Sequence, residues 1–208
     1  MTGATEAAYD AAGSAYQHWR WSRLWDTLEV DVVLEELPTQ GRALDAGCGY
    51  GRYAAPVRVR GLDYVGIDIS DVQLGLARAA HPEIAGQLVR GDIVVMPFAD
   101  ASFDAVLCTR VLSHGASLDA ASGEFARVLR PGGTLVVTDI SDQHYYERAT
   151  IPTESGEVRL PVKRYAQRDL AAALERTGLA IERCRRIAEQ YATVPLLDVT
   201  VARKLAAR

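Results

Sequence analysis

The chain has 208 residues, 49% hydrophobic and 24% charged, with a formal net charge of −4. This composition suits one globular domain with a sizeable core, and it lacks the basic excess with which a surface tracks nucleic-acid phosphates. No apolar run nears the roughly 18 residues that span a bilayer, the first residues lack a basic and greasy leader, and three cysteines without a C-x-x-C pair suit reduced thiols. The expectation is therefore a cytoplasmic protein, monomer or homodimer, with neither nucleic acid nor membrane as partner.

Residues 5–37 read as helical, in two pieces. Leu24, Leu28, Val32 and Leu37 roughly follow helical spacing, and Pro38 ends the run. Aromatic residues crowd this segment. Tyr9, Tyr16 and Arg23 share one face at seven-residue spacing; Trp21, Trp25 and Leu28 lie on another. From residue 42 the pattern changes to short apolar runs, at 43–45, 64–68, 87–90, 104–108 and 134–139, alternating with helical stretches. Such alternation reads as βαβ units around a parallel sheet, an α/β doubly wound fold. Pro56 falls inside the first of those helices and predicts that it is short or kinked. Ser70-x-x-Gln73 has the form of a capping box opening a helix over 71–80. Further helices are expected over 119–130, stopped by Pro131-Gly132-Gly133, and over 168–177, where Gly178 suits a C-terminal cap. Residues 179–187 and 194–204 read as two strands that close the sheet in antiparallel fashion.

The most informative stretch is Leu44-Asp45-Ala46-Gly47-Cys48-Gly49-Tyr50-Gly51, which leaves a strand and opens a helix. Glycines there let the backbone turn sharply and let a ligand approach closely. The dinucleotide fingerprint is G-x-G-x-x-G, whereas this loop is G-x-G-x-G behind an acidic residue. A pyrophosphate wants no adjacent carboxylate, but an ammonium or sulfonium tolerates one. Asp68 ends the next strand at the distance where a carboxylate reaches a ribose diol. Asp92 and Ile93 close the third, where a carboxylate can accept from an adenine amino group and an apolar side chain can pack on the ring.

The segments D-A-G-C-G-Y-G, V-G-I-D-I-S, G-D-I-x-x-M-P-F, S-F-D-A-V and R-V-L-R-P-G-G-T-L resemble the successive motifs of the class I S-adenosylmethionine (SAM)-dependent methyltransferases, in order and at matching intervals. The resemblance covers about residues 40–204. It implies a seven-stranded, mostly parallel sheet with an antiparallel last strand. It implies SAM as cofactor and S-adenosylhomocysteine (SAH) as product. It sets Gly47 and Gly49 at the methionine end, Asp68 at the ribose, Asp92 and Ile93 at the adenine, and Arg110 beside the substrate; Asp45 and Ile69, flanking these motifs, are expected among the cofactor-binding residues. In small members of that family an N-terminal segment folds over the cofactor, so residues 1–38 are expected to form a helical lid that brings Tyr16 to the site, and residues 39–208 the SAM-binding domain.

Two histidines are candidate general bases, His114 past the fourth strand and His144 in the loop after the fifth. Lys163, Arg164 and Tyr165 could meet an anionic substrate group. Cys48 and Cys108 occupy apolar motif positions and read as inert. The histidines show no ligand spacing, and Asp139 with Asp142 lack a third ligand, so no metal site is expected. The reading favoured is methyl transfer from SAM to a small-molecule acceptor, attacked at O, N or C. The alternatives are a SAM-binding protein of the same fold that catalyses cyclisation without methylation, and a non-catalytic regulatory subunit.

Overall fold

In the computed structural model, residues 2–142, 148–187 and 197–206 are described. In chain order the elements are α1 (Thr2–Ala12), α2 (Ala15–His18), α3 (Arg20–Glu36), β1 (Gly41–Ala46), α4 (Ala54–Val59), β2 (Leu62–Asp68), α5 (Asp71–Ala80) and β3 (Leu88–Arg90). There follow β4 (Phe103–Thr109), α6 (Leu118–Val128), β5 (Leu129–Ile140), β6 (Arg148–Thr153), β7 (Gly156–Pro161), α7 (Gln167–Arg176), β8 (Leu179–Ile187) and β9 (Leu197–Lys204). Seven strands form one sheet in the order β3-β2-β1-β4-β5-β9-β8. The pairs among β1 to β5 are parallel, and β9 runs antiparallel to both its neighbours. The seven-stranded α/β expectation therefore holds, down to the reversed last strand.

The sheet is covered on both sides, which is why β4 reads as an almost unbroken apolar run. Leu44, Ile67 and Leu135 point to one face, where Phe125 of α6 and Leu174 of α7 meet them. Ala43, Leu107 and Val136 point to the other, against Val33 of α3, Val57 of α4 and Leu74 of α5. Helix α4 is only 6 residues long, with Pro56 in its first turn, where a missing N–H breaks no internal bond.

The N-terminal segment departs from the expectation in two ways. It breaks twice, at Gly13 (φ +47) and at Trp19 (φ −65, ψ 133), giving three helical pieces in place of two. It also divides in role. Helix α3 belongs to the sheet's cover: Val33 and Leu37 are buried in the core, and Trp25 packs against Leu197 of β9. Only α1 and α2 sit over the edge of the sheet where the parallel strands end. There α1 packs on a hairpin that the sequence reading missed, β6–β7, whose inward residues Ile151 and Leu160 enclose Ala8 and Ala12. The side chain of Trp21 lies outside the described residues.

Candidate active site

From β1 the chain winds outward through β2 to β3, then returns to lay down β4 and β5 on the other side. Such a reversal leaves a crevice beyond the strand ends, where open α/β sheets take their ligands. A cavity of about 690 Å³ opens there, within the range of small-molecule pockets. Its lining comes from the glycine loop, the ends of β2 to β4, helix α1 and the segment before α7.

The glycine loop forms one wall. The N–H groups of Gly47 and Cys48 both donate to the Ile67 carbonyl, at 2.8 and 3.0 Å, and fold the loop back over β2. Gly47 has φ +86, and a Cβ there would stand 2.4 Å from Val111 Cγ2, so no side chain fits. Gly49 has φ +52 and open space where a Cβ would point. It does not itself line the cavity; its N–H donates to Asp68 Oδ2 at 2.8 Å. The other oxygen of Asp68 accepts from Ser70 N at 2.9 Å. Burial pushes the Asp68 carboxyl up, against those two N–H groups.

Asp45 lies beneath the loop. Tyr64 Oη donates to its Oδ2 at 2.8 Å, while the buried Oδ1 has no hydrogen-bond partner. Burial pushes this carboxyl up to about 7, against the Tyr64 hydrogen bond and the charge of Arg52. Ile69, Asp92 and Ile93 line the cavity at the ends of β2 and β3, and Asp92 Oδ1 accepts from Val94 N at 3.1 Å.

Arg110 follows β4 in the left-handed region, φ +57, with its N–H donating to Thr138 O at 2.7 Å. Its guanidinium lies 5.7 Å from the Trp25 ring centre, and its Nε is 3.2 Å from Glu29 Oε2. Glu29 is wholly buried and also takes Arg52 Nη2 at 2.7 Å and the Thr138 hydroxyl. Burial alone would push its carboxyl up; Arg110 and Arg52 more than offset that and hold it below the usual carboxylate range.

On the opposite side stands His114, ending a short turn at Leu112–His114. Its Nε2 is 3.1 Å from the Tyr9 hydroxyl, and Nδ1 is buried without a partner. Burial first, and the charge of Arg110 second, push this imidazole down to about 4. Thr5 Oγ1 donates to the His114 carbonyl at 3.1 Å. Tyr16 lies edge-on to Tyr9 at 5.2 Å and to Tyr50 at 6.2 Å. Lys163 N donates to Ser113 O at 2.8 Å, and its ammonium lies 4.9 Å from the Tyr165 ring centre. His144 lies outside the described residues.

Residues 44–137 match the family described as Methyltransferase domain. Over 133 residues the chain is 37% identical to the demethylmenaquinone methyltransferase of Renibacterium salmoninarum, a match covering 64% of this chain and 54% of that protein. Over its central region the chain resembles the class I SAM-dependent methyltransferases.

Two solved structures share the fold of this chain. The [4+2]-cyclase SpnF superposes with a TM-score of 0.79 at 20% identity, covering 100% of this chain and 98% of that one. A SAM-dependent methyltransferase of Methanosarcina mazei gives 0.71 at 20% identity, covering 85% and 98%. The chain spans about half the length of the curated relative it matches. Among the described residues, no helix is long and apolar enough to cross a membrane.

The structure thus gathers Tyr16, Asp45, Gly47, Asp68, Ile69, Asp92, Ile93, Arg110 and His114 around one cavity, and sets Gly49 just behind it. Sequence reasoning missed three participants. Glu29 sits on a helix face that reads as a solvated carboxylate; the signal was its place one turn from Trp25 and Val33, both buried. Gln73 was read as the return half of a capping box, yet only the Ser70 half forms: Ser70 Oγ accepts from Gln73 N at 3.1 Å. The amide of Gln73 instead donates to the carbonyls of Tyr9 and Gly13, both at 3.1 Å, and fastens α1 to α5. Tyr9 was read only as part of an aromatic face. Cys48 and Cys108 are buried, and burial pushes both thiols up, as inert packing requires.

Proposed function

We propose that the protein transfers the methyl group of SAM to a small-molecule acceptor and releases SAH. The observation that carries this reading is that one cavity joins two unlike walls, a backbone-rich shelf and a side-chain-rich chamber. The residues fit the cofactor. The unpartnered Asp45 oxygen suits a cation, and the Gly47 position admits no side chain of its own. Each Asp68 oxygen accepts one N–H and keeps a lone pair for a ribose hydroxyl. Ile69, Asp92 and Ile93 supply an apolar surface and an acceptor for adenine. Gly49 acts through Asp68, and Arg110 and Tyr16 flank the reacting end.

SAM supplies an already activated methyl group, so the chain's own work is proximity, alignment and exclusion of water. Helix α1 roofs the chamber, with the hairpin β6–β7 packed behind it. His114 and His144 are the candidate bases. The cavity, of about 690 Å³ and bounded in part by Tyr9, Tyr16 and Tyr50, favours a small, partly apolar acceptor over a macromolecule. Two experiments test the reading. Calorimetry should find SAM and SAH binding with NADH silent; micromolar NADH binding with SAM silent would refute it. Labelled SAM with host extract should yield a labelled product and SAH, whereas turnover without SAH would favour cyclisation, and binding without any turnover a regulatory subunit.

A further inference from the structure

Among the described residues, Tyr9 is the residue of α1 whose side chain meets the His114 ring. Helix α1 is held in place by contacts along its length: Thr5 on the His114 carbonyl, Glu6 on Arg90 at 2.6 Å, Asp10 on the Ser70 hydroxyl, and the Gln73 amide on the last turn. These contacts fix the phenol over the imidazole with 3.1 Å between oxygen and Nε2. The direction of that hydrogen bond follows from acidity. A phenol is a far stronger acid than a neutral imidazole N–H, and an imidazole nitrogen a far stronger base than a phenol oxygen. Tyr9 therefore donates and Nε2 accepts, and the Tyr9 oxygen keeps its lone pairs for the cavity it lines.

We propose that Tyr9 and His114 form a proton relay, in which the Tyr9 oxygen takes the proton of an acceptor hydroxyl while its own proton passes to His114 Nε2. This rests on the methyl-transfer reading above. The step balances. The acceptor O–H bond breaks as a new Tyr9 O–H bond forms; the old Tyr9 O–H bond breaks as Nε2–H forms. The freed oxygen lone pair bonds to the methyl carbon, whose bond to sulfur breaks with its electron pair going to sulfur. The relay as drawn takes a hydroxyl, whose proton must leave as the new bond forms, whereas an amine can be methylated first and lose its proton afterwards.

The low proton affinity of His114 is then part of the scheme. Tyr9 of α1 meets the ring, Arg110 at the end of β4 acts on it through its charge, Lys163 and Tyr165 before α7 line the same cavity, and Asp139 is bonded to the adjoining Ser113 N at 2.8 Å. With SAM bound, the sulfonium adds one more positive charge and opposes an imidazolium. Transfer neutralises the sulfur at the moment His114 gains its proton, so the net charge in the cavity stays constant.

The test needs no knowledge of the acceptor for its first arm. NMR titration of the His114 ring in the SAM and SAH complexes should give a midpoint at least one pH unit higher with SAH; equal midpoints would overturn the relay. If neither ligand binds, the cofactor reading fails instead. The second arm uses the acceptor identified by labelled SAM. Tyr9→Phe should lower kcat at least tenfold with KM within twofold, and His114→Gln should do the same. Near-wild-type kcat in Tyr9→Phe would overturn the proposal, as would a loss confined to KM. Thermal unfolding of Tyr9→Phe, expected within a few degrees of wild type, separates this from a collapsed roof.

Discussion

The shelf and the roof of the cavity are built by different means. The shelf, from β1 to the end of β4, is contiguous in sequence and works through backbone: a loop with no room for a Cβ at Gly47, and carboxylates at strand ends held by N–H groups. The roof combines α1, α2, the turn after β4 and the segment before α7, with the β6–β7 hairpin packed behind α1, and works through side chains: Tyr9, Tyr16, His114 and Lys163. A shelf of that kind is fixed by the fold and tolerates little change. A roof assembled from separate segments can be altered without disturbing the sheet, which suits the part of an enzyme that chooses its acceptor.

The largest effect expected lies at the join between the two. Glu29→Ala leaves Arg52 and Arg110 without their shared buried carboxylate, and loss of one partner from such a cluster costs about 3–5 kcal/mol. Urea unfolding should show it; a loss below about 1 kcal/mol would mean that water takes the place of Glu29. Next comes the shelf's backbone. Gly47→Ala sets a Cβ against Val111 at positive φ and should cost about 2 kcal/mol or more, whereas Gly49→Ala meets only the left-handed backbone penalty of about 1 kcal/mol. If the two cost the same, Val111 yields and the loop is less rigid than its geometry. Asp68→Ala should weaken SAM binding by about 1–3 kcal/mol, read by calorimetry, with little change in folding.

Asp45 sharpens the comparison by pH. Its ordinary value is 3.8, and in the fold it stands at about 7. Between those values the folded state holds the proton more tightly than the unfolded one, so this group's contribution to stability falls as pH rises from about 4 to about 7. A cation beside Asp45 favours the carboxylate, so SAM uptake below pH 7 should release a proton and weaken as pH falls. Calorimetry in buffers of different ionisation enthalpy counts that proton, and Asp45→Asn should abolish it. The smallest effect belongs to the roof. Gln73→Leu removes two hydrogen bonds from the end of α1 and should leave SAM affinity within about 1 kcal/mol, while hydrogen exchange in α1 speeds up.

What was legible in the sequence follows the same division. β1 to β5 announce themselves because buried parallel strands need continuous apolar runs and the loop needs glycine at fixed positions. Asp68 and Asp92 sit at strand ends, so spacing alone locates them. Glu29 was illegible because its partners, Arg52 and Arg110, lie on distant segments and helical periodicity marks it only as polar. The hairpin was missed because Pro152 and Pro161 argue against strands; they are tolerated in a two-stranded ribbon with free edges. The break at Gly13 was missed because the aromatic spacing carries straight through it, and Tyr9 still meets Tyr16 across the break.

Ser70 and Gln73 join two tasks in one turn of helix. Ser70 donates its N–H to Asp68 and its hydroxyl to Asp10, and Gln73 ties down the carbonyls of Tyr9 and Gly13. The carboxylate assigned to the ribose and the anchor of α1 are therefore held by one short stretch, Ser70 to Gln73. The consequence is temporal. On the proposed function, a nucleoside that leaves past α1 would have to wait for those ties to part. The group that would set that interval is a glutamine amide that does not itself line the cavity.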